Sequence, residues 1–252
     1  MSSTTGSGSA RELEPAGGHD RFYRFVVAVG RAIFRVSSRP VVLHAQRVPV
    51  SGGALLASNH TSHYDVACLM NSCPRPIDFV SIVEVERRPL VAAFFRRLNC
   101  VFLDRARSDA VTAKAILARL RAGRLVGIFP EGRLTPAEAS VLRGGEIVSG
   151  IGQLAQLTNA PVVPCVVLDT ANFAGFAPWL PLRRTRYAVA FGEPIVVRGD
   201  LPRREARLDL EDRWRRSLLE LETELSPRMS WRRAPGSSGV VEGARPRHRG
   251  SP

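Results

Sequence analysis

The heptad Asn59-His60-Thr61-Ser62-His63-Tyr64-Asp65 holds the residue types in this chain best suited to chemistry. It follows a short apolar run, Ala54-Leu55-Leu56-Ala57, so His60 leaves a predicted strand end and Asp65 comes about one turn later. An imidazole exchanges a proton near neutral pH, with an ordinary pKa of ~6.5. A carboxylate on its other ring nitrogen would keep that nitrogen protonated and stabilise the imidazolium that forms. No serine or cysteine in a nucleophile-elbow context accompanies the pair. A base without its own nucleophile points to direct transfer, in which a substrate hydroxyl attacks.

A second stretch reads Leu125-Val126-Gly127-Ile128-Phe129-Pro130-Glu131-Gly132-Arg133. Pro130 ends an apolar strand, and Gly132 permits a sharp turn or the close approach of a ligand. Glu131 and Arg133 therefore fall on a strand-end loop. The planar guanidinium fork of an arginine there suits a phosphate. Glu131 is a candidate substrate contact, or else a structural carboxylate. Val101-Phe102-Leu103-Asp104-Arg105 is another apolar strand tail that delivers an arginine to an edge. Three strand ends thus offer one base and two arginines, and ligands gather at the carboxyl ends of strands in open α/β sheets.

These residues resemble the ordered blocks of the glycerolipid acyltransferases, most of all the bacterial 1-acylglycerol-3-phosphate acyltransferases. His60 and Asp65 match the H-x4-D block, Val101–Arg105 the second block, and Phe129–Gly132 the third. Val162-Val163-Pro164 matches the fourth, and Gly192-Glu193-Pro194-Ile195 a late strand-turn signature. Order and spacing agree over about residues 40–200, and several blocks in order are specific where one would not be. The third block departs from the usual Gly-Thr-Arg-Ser, because Arg133 follows Gly132 directly. Arg143-Gly144-Gly145 fills a later place where lysine is common.

The resemblance implies a catalytic pair, His60 and Asp65, and acceptor binding through Arg105, Glu131, Gly132 and Arg133. It implies transfer of a fatty acyl group from acyl-CoA or acyl carrier protein to 1-acylglycerol 3-phosphate. The product would be phosphatidic acid, a step of phospholipid biosynthesis. No metal site and no cofactor are expected, since thiolate is already a good leaving group. Other acceptors, either a different lysophospholipid or a polyol phosphate, fit the same chemistry.

A chain of 252 residues with a formal net charge of +13 and pI ≈ 11.1 favours anionic partners. No basic-aromatic RNA signature or basic recognition helix stands out, so nucleic acid is not expected and an anionic membrane surface is. The excess is almost wholly arginine, with Lys114 the only lysine. Cys68, Cys73, Cys100 and Cys165 form no Cys-x-x-Cys pair and read as buried free thiols. No run reaches the ~20 apolar residues of a spanning helix. The Ser/Thr/Gly-rich start lacks the apolar core of a secretory signal. The expected location is cytoplasmic, peripheral on the inner face of the cell membrane.

The elements that must position the site follow from hydrophobic periodicity. Strands are predicted near 41–45, 54–58, 77–83, 101–103, 125–129, 162–168 and 187–191. Helices are predicted near 66–71, 89–98, 109–122, 145–157 and 203–225. This alternation indicates an α/β fold with a largely parallel mixed sheet flanked by helices. An amphipathic N-terminal helix precedes it, with Phe22, Phe25, Val26, Val29, Ile33 and Val36 at helical spacing. Arg21, Arg24, Arg31 and Arg35 form a stripe opposite, which suits either the bilayer interface or a solvated edge of a core-packed helix. The expected organisation is a disordered N-terminus (1–20), a membrane-surface helix (21–40), an acyltransferase domain (41–225) and a disordered basic tail (226–252). The apolar loop 173–181 either closes the core or dips into lipid.

Two other readings compete. His60, His63 and Asp65 would be ligands in a metal-dependent hydrolase, although His19, His44 and His248 stand in unrelated contexts. A non-catalytic membrane-binding module is the third class, and the intact His60–Asp65 pair argues against it.

Overall fold

Among the described residues, seven strands form one sheet in the order β1-β7-β6-β2-β5-β3-β4. A computed structural model describes residues 19–82, 89–103, 110–147, 150–180 and 184–229. The strands are β1 (Ser38–Leu43), β2 (Ala54–Ser58), β3 (Ile77–Ile82), β4 (Val101–Leu103), β5 (Leu125–Ile128), β6 (Val162–Leu168) and β7 (Thr185–Phe191). The helices are α1 (Asp20–Ser37), α2 (Asp65–Ser72), α3 (Pro89–Arg97), α4 (Ala110–Arg121), α5 (Ile151–Thr158) and α6 (Arg203–Leu225). Strands β6, β2, β5, β3 and β4 are mutually parallel. β7 runs antiparallel to β6 and parallel to β1. The sheet is therefore mixed and largely parallel, as the sequence pattern indicates.

The period-two alternation of side chains sorts the core into two layers. Leu55, Ala57, Val126, Ile128, Val162 and Val166 pack with Ile116 of α4, Ile151 of α5 and Leu210, Trp214 and Leu218 of α6. Ala54, Leu56, Leu125, Val163, Cys165 and Val167 pack with Tyr23 and Phe34 of α1 and Cys68 and Leu69 of α2. With both faces covered, β2, β5 and β6 are buried at every position, which explains their unbroken apolar runs. Gly127 is required where β5 passes β3, since a Cβ there would lie 2.6 Å from the Ile77 side chain.

The chain differs from the sequence pattern at four places. Helix α1 begins at Asp20, the last residue of the segment expected to be disordered, and β1 takes over at Ser38, inside the expected 21–40 helix segment. Asp20 pairs with Arg124, which also grips the buried Asp78, so the supposed disordered segment supplies an anchor. Helix α5 starts at Ile151, not near 145. A 3-10 turn over Val141–Arg143 ends at Gly144 with φ of 87°, a left-handed residue that stops a helix from running through. At the other end order continues through Met229, whose side chain is fully buried. Residues 1–18 and 230–252 lie outside the described residues.

Helix α1 also divides its apolar surface. Tyr23 and Phe34 are buried and Phe22, Val26 and Val27 pack against the core. Phe25 (64 % exposed), Val29, Ile33 and Val36 face outward. The loop after β6 is similarly split, with Phe173 fully buried and Phe176 at 79 % exposure.

Candidate active site

Because β2, β5 and β6 are adjacent and parallel, the residues just beyond their carboxyl ends converge. β2 delivers Asn59 and His60, β5 delivers Phe129 to Arg133, and β6 delivers Asp169 and Thr170. Asn59 is fully buried and behaves like an extra rung of the β2–β6 ladder. Its Nδ2 donates to the Val167 carbonyl at 2.8 Å and its Oδ1 accepts from the Val167 amide at 2.9 Å. That fixes the point at which the chain leaves the sheet, and His60 comes next. Trp214 of α6 supports the same strand by donating its indole N–H to the Ala57 carbonyl at 3.1 Å.

His60 Nδ1 lies 2.9 Å from Asp65 Oδ2. Asp65 opens α2 and is wholly buried. A dry carboxylate needs a full set of donors to remain charged. Oδ2 also accepts from the amides of Thr61 and Ser62, each at 2.9 Å. Oδ1 accepts from the Thr170 hydroxyl. With Nδ1 committed to Asp65, Nε2 is the nitrogen free to take a proton, and no serine or cysteine is bonded to it among the described residues. The imidazole side chain retains 17 % exposure. Its ring stacks on Phe129 at 3.9 Å between centroids and 14° between planes, and Phe129 in turn stacks on Phe79.

The loop after β5 holds the backbone of His60. Thr135 donates its amide to the His60 carbonyl at 2.8 Å, and the His60 amide donates to Glu131 Oε2 at 3.3 Å. Glu131 is buried, and its Oε1 accepts from the Ser140 hydroxyl at 2.7 Å and the Val141 amide at 2.8 Å. Both carboxylate oxygens are thus occupied by protein donors, a geometry that makes Glu131 a clamp between His60 and the 140–141 turn. Gly132 sits at φ of 66°, in the left-handed region that glycine enters without strain, and its amide donates to the Phe129 carbonyl at 2.9 Å.

A cavity of about 320 Å³ opens beside this loop, lined by Glu131, Arg133, Thr135, Arg143 and Gly144–Gly145 among others. Two of those residues, Glu131 and Thr135, bond directly to the main chain of His60. Arg133 is exposed and pairs with no carboxylate among the described residues. Arg143 differs, since Glu222 of α6 holds its guanidinium bidentately at 2.7 and 2.8 Å and raises its pKa. The structure therefore brings His60, Asp65, Glu131, Gly132 and Arg133 to one strand-end region. Arg105 lies outside the described residues.

His63 is exposed, and among the described residues no three His, Cys, Asp or Glu side chains converge as a metal site would require. All four cysteines are buried and free. Burial pushes the Cys73 thiol up to about 11 and the Cys100 thiol up to about 12, so neither is a ready nucleophile. Thr170 and Ser140 are site residues that sequence reasoning passes over, while Asn59 and Phe129 fall inside the matched blocks without a role being assigned to them. Only position could have signalled Thr170, as the polar residue just past the end of the strand that neighbours β2.

An open α/β sheet with a buried carboxylate backing a partly exposed imidazole, beside an arginine-lined cavity at strand carboxyl ends, defines the class. It is that of open-sheet α/β proteins with a His–Asp pair at the strand carboxyl ends, beside a cavity lined by Arg133, Arg143, Glu131 and Glu146. Comparison with known proteins makes the assignment narrower. The profile of the family described as Acyltransferase matches residues 39–168, just over half of the chain, and the chain belongs to that family. It is similar to the 1-acyl-sn-glycerol-3-phosphate acyltransferase of Bacillus subtilis (strain 168), with 23 % identity over 81 % of this chain and 98 % of that one. An enzyme of the same name from Borreliella burgdorferi is 24 % identical over 53 % of this chain and 52 % of its own length. In fold the chain is similar to the crystal structure of the 1-acyl-sn-glycerophosphate (LPA) acyltransferase PlsC from Thermotoga maritima. There the TM-score is 0.59 at 21 % identity, covering 81 % of this chain and 82 % of the other.

Proposed function

We propose that this acyltransferase esterifies the free hydroxyl of 1-acylglycerol 3-phosphate and so forms phosphatidic acid. The observation that carries the reading is the His60–Asp65 pair beside a cavity that holds Arg133. His60 Nε2 takes the acceptor's hydroxyl proton as that oxygen bonds to the thioester carbonyl carbon. The tetrahedral intermediate then collapses, the carbon–sulfur bond breaks, and the thiolate leaves with the proton from His60. Asp65 holds Nδ1 protonated throughout and stabilises the transient imidazolium. The thioester arrives activated, so the reaction asks for no metal or redox cofactor. Acyl-CoA and acyl carrier protein are equivalent donors for this chemistry.

Arg133 would bind the acceptor phosphate, a role supported by its exposed guanidinium at the cavity, and the names of the relatives support that head group. The lipid acceptor favours an enzyme at a membrane surface. No helix among the described residues is long and apolar enough to cross a bilayer. The outward stripe of Phe25, Val29, Ile33 and Val36 on α1 suits an interfacial position instead. Exposed Leu90 and Phe94 of α3 extend it, Phe94 meeting Phe22 edge-on at 6.1 Å. The net charge of +13 suits an anionic leaflet, as on the inner face of the cell membrane. An acceptor panel tests the function. Lysophosphatidic acid should outperform lysophosphatidylethanolamine, glycerol 3-phosphate and dihydroxyacetone phosphate, whereas a preference for any of the three would replace it as acceptor.

A further inference from the structure

We infer that Thr170 is a positioning residue, holding Asp65 in the orientation from which its carboxylate serves His60. The inference rests on the reading of His60 as the general base. Its basis is the distribution of donors around Asp65. Oδ2 accepts from His60 Nδ1 and from the amides of Thr61 and Ser62. Those three donors belong to the same short segment as Asp65 and move with it. Oδ1 receives the Thr170 hydroxyl, which comes from the far end of β6, 105 positions along the chain. Among the described residues it is the one side chain from another element bonded to this carboxylate.

Thr170 is itself held by packing. It is fully buried and opens the 3-10 turn Thr170–Phe173. Phe173, at the end of that turn, is also fully buried and sits among Phe34, Tyr64, Trp179 and Tyr187. The hydroxyl is therefore aimed by the core and not by a substrate. Deleting it leaves Oδ1 dry and unpaired, so that the carboxylate either turns toward another donor or gains a proton. A turned carboxylate withdraws the aligned acceptor from the Nδ1–H of His60, whereas a protonated one still accepts through Oδ2 but no longer carries the charge that stabilises the imidazolium. The other titratable groups around the pair are Glu131, on the loop after β5, and the thiols of Cys68 on α2 and Cys165 on β6. Burial pushes both thiols up; the Asp65 charge adds to it at Cys68, and Cys73 and Asp65 add to it at Cys165, so both stay neutral near physiological pH.

The test uses the full chain with lysophosphatidic acid and a long-chain acyl-CoA in mixed micelles. It compares wild type, Thr170→Val, Thr170→Ser and His60→Ala. Valine keeps the shape and removes the donor. It should lower kcat by roughly ten-fold or more, leave the acceptor KM within about two-fold, and displace the acid limb of the kcat–pH profile. Serine keeps the donor and should recover most of the rate and the wild-type profile. If valine prevents folding, alanine against serine makes the same comparison. A valine variant with wild-type kcat and pH profile overturns the inference, as does equal impairment of the donor-bearing and donor-free variants. An active His60→Ala would instead overturn the general-base reading and the inference with it. Inactive His60→Ala beside unimpaired Thr170→Val overturns the inference alone.

Discussion

Replacing Glu131 should separate a clamp from a substrate contact. Its carboxylate accepts three bonds inside the protein, from the His60 amide, the Ser140 hydroxyl and the Val141 amide. A buried donor left without a partner costs about 1–3 kcal/mol. Glu131→Ala strands three donors, but the space it opens admits water, so the expected loss is roughly 3–5 kcal/mol. That is a large share of the ~5–15 kcal/mol that holds a domain folded. Glu131→Gln keeps the shape and one acceptor oxygen. Its amide NH2 must then face either the His60 amide or the Ser140–Val141 donors. One donor–donor conflict of this kind predicts a loss of about 1–3 kcal/mol.

Urea unfolding followed by circular dichroism measures the loss, and steady-state kinetics accompany it. The clamp predicts a lower unfolding midpoint in both variants, alanine worse than glutamine. It also predicts lower kcat, because the His60 backbone is released, with the acceptor KM nearly unchanged. Wild-type stability in Glu131→Gln together with a raised acceptor KM would refute the reasoning and make Glu131 a substrate contact.

Three further outcomes are expected. Arg133→Ala should raise KM for lysophosphatidic acid at a cost on the order of 2–4 kcal/mol, with only partial rescue by lysine; equal loss toward a phosphate-free acceptor would make Arg133 structural. Phe25→Asp on α1 should weaken liposome association by roughly ten-fold, from about 1–2 kcal/mol of lost apolar burial, in a co-sedimentation assay. Unchanged sedimentation would remove that stripe from the interface. The hydrogen-bonded Arg124 guanidinium holds the Asp20 carboxyl below its ordinary range. Its contribution to stability is therefore present above the unfolded value of about 3.9 and lost as pH falls through the folded value. Asp20→Asn should accordingly be less stable than wild type near neutrality, with the gap in urea midpoint closing as pH falls below about 4; a gap that stays constant with pH would break the assignment.

The sheet was legible because β2, β5 and β6, buried on both faces, read as plain apolar runs bounded by proline, glycine or polar residues. His60 and Asp65 were legible because one strand exit and one helix start place them five positions apart. The α1 spacing marked an amphipathic helix, but it could not show that Tyr23 and Phe34 turn inward while Phe25 and Val29 turn out. That division depends on where α2 and the loop after β6 pack. The start of α5 was obscured because Gly144 and Gly145 break a pattern that otherwise resembles a helix. Thr170 and Ser140 carry no local signature, since their partners Asp65 and Glu131 lie 105 and 9 positions away and meet them only through the sheet order. Glu131 was visible as a loop carboxylate, but its inward bonds were not.

The central claim is acyl transfer driven by His60. The most direct test is to follow phosphatidic acid formation from lysophosphatidic acid and a radiolabelled acyl-CoA, using purified wild type and a His60→Ala variant shown by circular dichroism to be folded. The account predicts product from the wild type and essentially none from the variant. A folded His60→Ala protein that forms phosphatidic acid at a near-normal rate would contradict it.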